Sequence, residues 1–266
     1  MKTLTLILLI IASTQLSYAQ SYNDLCESGK KHLDEKNYKK AAEYFGCAAS
    51  AAESKSEKIY TLTNLGYSWR MCGELERAGE SYAKALELDK ASAALLTQRG
   101  NILLELGNTK EAIECYSKVL AQQPHNREII RLKAQAHTQA GQYKEGKEGY
   151  IKLISTDSSD KEARLGLAML YEKEGSINES LMMLEALIEE YPTLPELYIV
   201  RSNLERNQKQ PELALQDVEK AIELAPHNGN YHILRAELLK ELGRDDAAAR
   251  ARRKAVKLMH TPKEKE

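Results

Sequence analysis

Six histidines (His32, His125, His137, His227, His232 and His260) and four cysteines (Cys26, Cys47, Cys72 and Cys115) are the side chains best suited to metal binding or nucleophilic chemistry. The cysteines show no C-x2-C or other metal-ligand spacing. His125 and His227 sit in matching Pro-His-Asn linkers far apart along the chain, where they do not converge on one ion. No HExxH helix, nucleophile elbow or P-loop pattern is present. Gly141-Gln142-Tyr143-Lys144-Glu145-Gly146 resembles a phosphate loop only superficially, because a longer periodicity accounts for both glycines. Carboxylates are abundant, yet none is tied by the sequence to an apolar pocket. No set of residues meets the requirements of a catalytic site, so no enzymatic activity and no metal or cofactor is expected.

The elements that would position any functional side chain are helices. Gly73, Gly107, Gly141 and Gly175 recur every 34 residues, and Gly243 stands two further periods on. A fixed period of this length is the mark of a helical solenoid. Ala93–Asn126 reads as two short helices joined at Gly107. Gly100 and Ala112 let those helices touch, Tyr116 and Val119 fill the space beside them, and Pro124 ends the second. Seven units start near Tyr22, Ile59, Ala93, Arg127, Lys161, Pro195 and Gly229. The first step is longer, and its extra residues fall in Glu53–Glu57, where a loop is expected to absorb them. In the sixth unit Lys209 replaces the turn glycine, so a locally different elbow is expected there. In the seventh, Arg252 takes the place of the packing aromatic. With Arg250, Arg253, Lys254 and Lys257 it reads as a solvating cap on the stack.

The matching residues are Leu65, Gly66, Trp69, Gly73, Ala78, Tyr82 and Ala85 in the second unit, and Gly100, Gly107, Ala112, Tyr116 and Pro124 in the third. In this pattern the chain resembles the tetratricopeptide repeat family. The resemblance implies an all-α, right-handed superhelical solenoid of about seven helix-turn-helix units. It also implies a non-enzymatic scaffold that binds a protein or peptide segment in its concave groove. Carried over by register, the groove residues are Tyr60, Tyr67, Arg70, Met71, Asn101, Arg131, Gln135, Leu165, Met169, Ile199, Asn203 and Arg206. Tyr60, Tyr67, Arg70 and Met71 are of the types enriched in interfaces. Leu165, Met169, Ile199 and Ile233 would form an apolar strip, serving either a bound segment or the packing of neighbouring helices. Some family members read a C-terminal carboxylate with a Lys–Asn clamp. Asn101 matches the clamp's Asn, but Thr97 stands at the Lys position.

Met1-Lys2, the apolar run Leu4–Ala12 and the small-residue ending Ser17-Tyr18-Ala19 read as a signal peptide over residues 1–19. The run is shorter than the roughly 20 residues that span a bilayer. The expectation is an exported chain, with a solenoid over 20–260 and a charged tail over 261–266, and no stable membrane insertion after cleavage. The style of the signal points to the periplasm, with secretion as the other outcome, and to a role in the cell envelope. Removing Lys2 from 38 basic residues leaves 37 against 39 acidic ones. That near-balance gives no general attraction to nucleic acid. An exported protein can oxidise its cysteines, and Cys26 and Cys47 stand at heights that would permit a bridge. Four separate thiols at packing positions is the simpler reading. The rival functions are a small-molecule or glycan sensor and a lumenal co-chaperone.

Overall fold

The computed structural model describes residues 21–260. The stretch read as a signal peptide and the charged tail lie outside the described residues. The chain divides into two compact units between Ala140 and Gly141. The described residues form fourteen α-helices and no strand. The first unit contains α1 (Tyr22–Asp34), α2 (Tyr38–Ala51), α3 (Lys55–Met71), α4 (Leu75–Leu88), α5 (Ala93–Glu105), α6 (Thr109–Gln122) and α7 (Arg127–Gln139). The second contains α8 (Tyr143–Thr156), α9 (Lys161–Glu174), α10 (Ile177–Glu190), α11 (Pro195–Asn207), α12 (Pro211–Leu224), α13 (Gly229–Glu241) and α14 (Asp245–His260). Each unit is an all-α array of helical repeats, the architecture of a repeat solenoid.

Odd-numbered helices start behind a side chain that accepts an otherwise orphaned backbone N–H. Ser21, Ser54, Ser92, Asn126, Asp160 and Asn228 do this for α1, α3, α5, α7, α9 and α13. Pro195 opens α11 instead, where a missing amide costs nothing. At Ser54 the reciprocal bond from Glu57 completes a capping box, and α3 runs for 17 residues. Glu53 and Ser54 lie in the expected loop, but Lys55–Glu57 already belong to the helix, which is extended by about a turn. The reason is local: Ser54 and Glu57 satisfy each other's backbone amides three residues apart and start the helix early.

Every even-numbered helix follows an elbow in which one residue is left-handed. Five elbows use glycine, as at Gly107 with φ 79°, but Lys36 and Lys209 adopt φ 57° and 59°. Lys209 closes the same two bonds as Gly107. Its N–H reaches Arg206 O at 2.9 Å and the next N–H reaches Glu205 O at 3.0 Å, against 3.1 and 2.8 Å at Gly107 and Asn108. The elbow of the sixth repeat is thus the ordinary one. Two backbone hydrogen bonds and the following Pro211 hold it, and the lysine carries about 1 kcal/mol of left-handed strain.

In the hairpins that lie wholly within one unit, small residues bring the helices together. In the first unit the Tyr116 ring lies so close to Gly100 that a β-carbon there would meet Tyr116 Cε1 at 2.7 Å. The Tyr116 hydroxyl then donates to Asn101 Oδ1 at 2.8 Å. Ile102, Tyr82, Val119 and Leu104 join this ring in the unit's main core. In the second unit Tyr150 turns instead to Gly166 of the following repeat, packing against its bare α-carbon. Ser180 Oγ donates to Ala168 O at 2.8 Å, and Ser202 Oγ donates to Ala214 O at 2.9 Å. These buried serines therefore join α10 to α9 and α11 to α12 by hydrogen bonds. The four cysteines are separate thiols. Cys26 and Cys115 are buried, whereas Cys47 and Cys72 are exposed and do not occupy packing positions.

Candidate interaction surface

In the first unit the register places Tyr60, Tyr67 and Met71 at i, i+7 and i+11 on α3, which is one helical face. All three are exposed, at 38%, 42% and 43%. Tyr82 and Tyr116 on the second helices α4 and α6 behave oppositely and are buried. Tyr60 meets Phe45 edge-on at 6.4 Å between ring centroids, and the Lys30 ammonium stands 5.6 Å from its ring. Arg70 donates to Glu105 of the next repeat. Asn101 is half-buried and its carbonyl oxygen receives Tyr116. Arg131 pairs with Glu128 on its own helix at 2.6 Å, and Gln135 is half-buried beside it in sequence.

In the second unit the expected apolar strip divides. Leu165 packs against the Ala168–Leu184–Leu204 cluster, and Ile199 against the cluster around Leu238. Met169 and Ile233 remain outside, 45% and 37% exposed. Asn203 is exposed. Arg206 donates from Nε to Glu241 at 2.8 Å and from Nη1 to Glu237 at 3.0 Å. Asn207 donates to Glu172 at 3.0 Å.

A rule connects these contacts. Arg70–Glu105, Glu172–Asn207 and Arg206–Glu241 are each separated by 35 residues, one more than the period. Each joins the end of one first helix to the end of the next. The guanidinium groups of Arg70 and Arg206 are therefore neutralised within the array. Reading inner-face positions one repeat at a time misses this. The signal is opposite charge, or amide with carboxylate, at a separation of 35.

A buried polar group in the sixth repeat also escaped sequence reading. Arg201 grips Asp217 with Nε on Oδ2 and Nη2 on Oδ1. Glu205 lies one helical turn from Arg201, and its Oε2 is buried without a hydrogen-bond partner. Burial first, and then the Asp217 charge, push the Glu205 carboxyl up to about 7, with Arg201 pulling the other way. Asp217 has both oxygens occupied and Glu205 faces inward, so the two do not offer an accessible acid–base pair. Among the described residues, no group of three or more His, Cys, Asp or Glu side chains could hold a metal ion. No helix among them is long and apolar enough to cross a membrane.

Three stretches match family models described as tetratricopeptide repeat: residues 93–126, 162–193 and 195–228. No curated protein sequence matches the chain. A tetratricopeptide repeat protein from Parabacteroides merdae is similar in structure, with a TM-score of 0.75 and 26% identity over 91% of this chain and 94% of that one. A thermophilic tetratricopeptide repeat protein of Thermus thermophilus is similar in fold, with a TM-score of 0.57 and 17% identity over 68% of this chain and 98% of that one. The repeat geometry and the half-exposed aromatic face thus stand beside relatives built from the same hairpin.

Proposed function

The chain belongs to the tetratricopeptide repeat family, and from that premise we propose that it is a non-enzymatic scaffold holding a partner protein segment along its first-helix face. The observation that carries the reading is the exposed row Tyr60, Tyr67 and Met71 on α3. The core does not need these side chains, and water solvates them poorly. Aromatic and thioether groups of this kind are the anchors around which protein interfaces are built. The ion pair of Arg70 and Glu105 borders the row and holds neighbouring first helices in register beneath a bound segment. Within the second unit, Met169 and Ile233 are exposed apolar side chains of the same kind.

The compartment we propose is the cell envelope, on the strength of the signal-like residues 1–19. The test is photo-crosslinking in cells from positions 67 and 169, with crosslinkers at exposed second-helix sites as controls. The reading requires the same protein to be captured at a first-helix site and lost when Tyr67 and Met71 are both changed to alanine. Capture only from the control sites overturns it. Each alanine should weaken the captured partner by more than about 1 kcal/mol while leaving helicity unchanged.

A further inference from the structure

Among the described residues, the repeat of α13 and α14 leaves uncovered a seat that a helix fills in the preceding repeat. On α12, Leu215 and Val218 are 5% and 0% exposed, because α13 lies over them with Leu234 and Leu238 in their cluster. The residues 34 positions later on α14 are Ala249 and Arg252, followed along the same stripe by Val256 and Met259. Val256 is 50% exposed; Met259 is 47% exposed and rests its inner side on Gly229 at the start of α13. Between α13 and α14 opens a cleft of about 310 Å³, floored by Ile233, Ala236, Ala248 and Ala249 and edged by Lys240 and Arg252. The solvating cap expected from the sequence is thus incomplete, since apolar side chains lie exposed between the charges.

The repeats show how a helix docks on such a seat. At a separation of 16, Tyr150 lies on Gly166, and Glu219 pairs with Arg235 at 2.9 Å. At a separation of 23, Gly79 faces Ile102. A helix seated on α14 as α13 is on α12 would therefore set its Leu234-equivalent over Arg252 and its Arg235-equivalent over Arg253. Its Leu238-equivalent would meet Ala249. At the Glu219 position this repeat carries Arg253, so the charge is inverted and the incoming residue must be acidic. No Asp or Glu occurs between Ala247 and His260, while Arg250, Arg252, Arg253, Lys254 and Lys257 are all exposed. Of the acids near the cleft, Glu237 is engaged by Arg206 and Asp245 lies in the first turn of α14.

We propose that the end face formed by α13 and α14 is a docking site for an amphipathic helix of a partner protein, seated like a further first helix, with carboxylates against Arg252 and Arg253. The hairpin cleft and its alanine floor fit a helix, where a lipid surface would need only the basic stripe. The probe is a fluorescent peptide copying residues 228–242, carrying Leu234→Glu and Arg235→Glu and extended with alanines to about 20 residues for helicity. A second peptide carries lysine at both places. Anisotropy titrations with the full chain should show the acidic peptide binding at least about tenfold tighter. The Arg252→Glu/Arg253→Glu variant should reverse that order, and Val256→Glu should weaken the acidic peptide severalfold or more. These side chains are exposed, and unchanged circular dichroism would verify folding. Equal affinity for the two peptides, no binding of either, or a preference that survives the arginine reversal overturns the proposal. So does co-sedimentation with phosphatidylglycerol vesicles without preference for the acidic peptide.

Discussion

Arg201 and Asp217 tie α11 to α12 through two parallel hydrogen bonds, both 2.7 Å long. Asp217 is buried, whereas the ion pairs that Arg99 and Arg235 make at the matching position in their own repeats are longer. A bidentate guanidinium–carboxylate contact of this kind fixes geometry as well as charge.

Removing one partner should cost more than removing both. Asp217→Leu alone leaves the Arg201 charge without its counter-ion, and should destabilise the chain by about 2–4 kcal/mol. The double change Arg201→Met/Asp217→Leu should recover most of that loss. Urea denaturation of the four chains in the cycle measures the coupling; additive effects would show that the pair does not act as a unit.

Glu205 gives the sixth repeat a dependence on pH. Its folded-state carboxyl is held at about 7, above the ordinary carboxylate value, chiefly by burial. The folded chain therefore binds this proton more tightly than the unfolded chain. Stability from this group is fullest below the ordinary range and is lost as pH rises toward 7. The loss should be on the order of 2 kcal/mol between about pH 5 and pH 8, allowing for solvent screening. Glu205→Gln should flatten the profile and raise stability at high pH. Parallel profiles for the two proteins would refute the assignment.

The lysine elbows are stabilisation sites. Lys209→Gly should raise stability by about 0.5–1 kcal/mol, because it relieves left-handed strain without disturbing the elbow's two hydrogen bonds. Gly107→Ala should lower it by about 1 kcal/mol for the same reason. Both changes are read from denaturation midpoints, and the opposite signs are the diagnostic.

Gly100 is limited by space and not by its backbone. Gly100→Ala would bring a β-carbon into the Tyr116 ring, and should cost about 1–3 kcal/mol. Adding Tyr116→Leu removes the clash and should restore part of the loss. A double variant worse than either single change would mean that the ring is not the obstacle.

The fold was legible because its determinants are local and repeated. The turn glycines and the small residues at facing positions each act within one hairpin, so a 34-residue period exposes them. Lys209 was harder, since nothing in one residue's identity shows that its neighbours' hydrogen bonds will impose φ 59°. Polar composition marks a loop over Glu53–Glu57, but the loop ends at Ser54 because the Ser54–Glu57 box starts the helix at Lys55. On the interaction face, register located Tyr67 and Met71 as candidates, but it could not show that Glu105 occupies Arg70. That contact depends on how two repeats meet. Glu205 was hidden for a similar reason: its character comes from Asp217 on another helix and from the exclusion of water.

The long helix α3 has a bearing on engineering. Elbows are held by a left-handed residue and paired backbone bonds, so a length change there would break the joint that defines a repeat. The start of α3 has already accommodated extra residues by growing outward behind a fresh cap. A tag or reporter domain inserted just ahead of Ser54 should therefore find a natural splice point, with the hairpins on either side still in register.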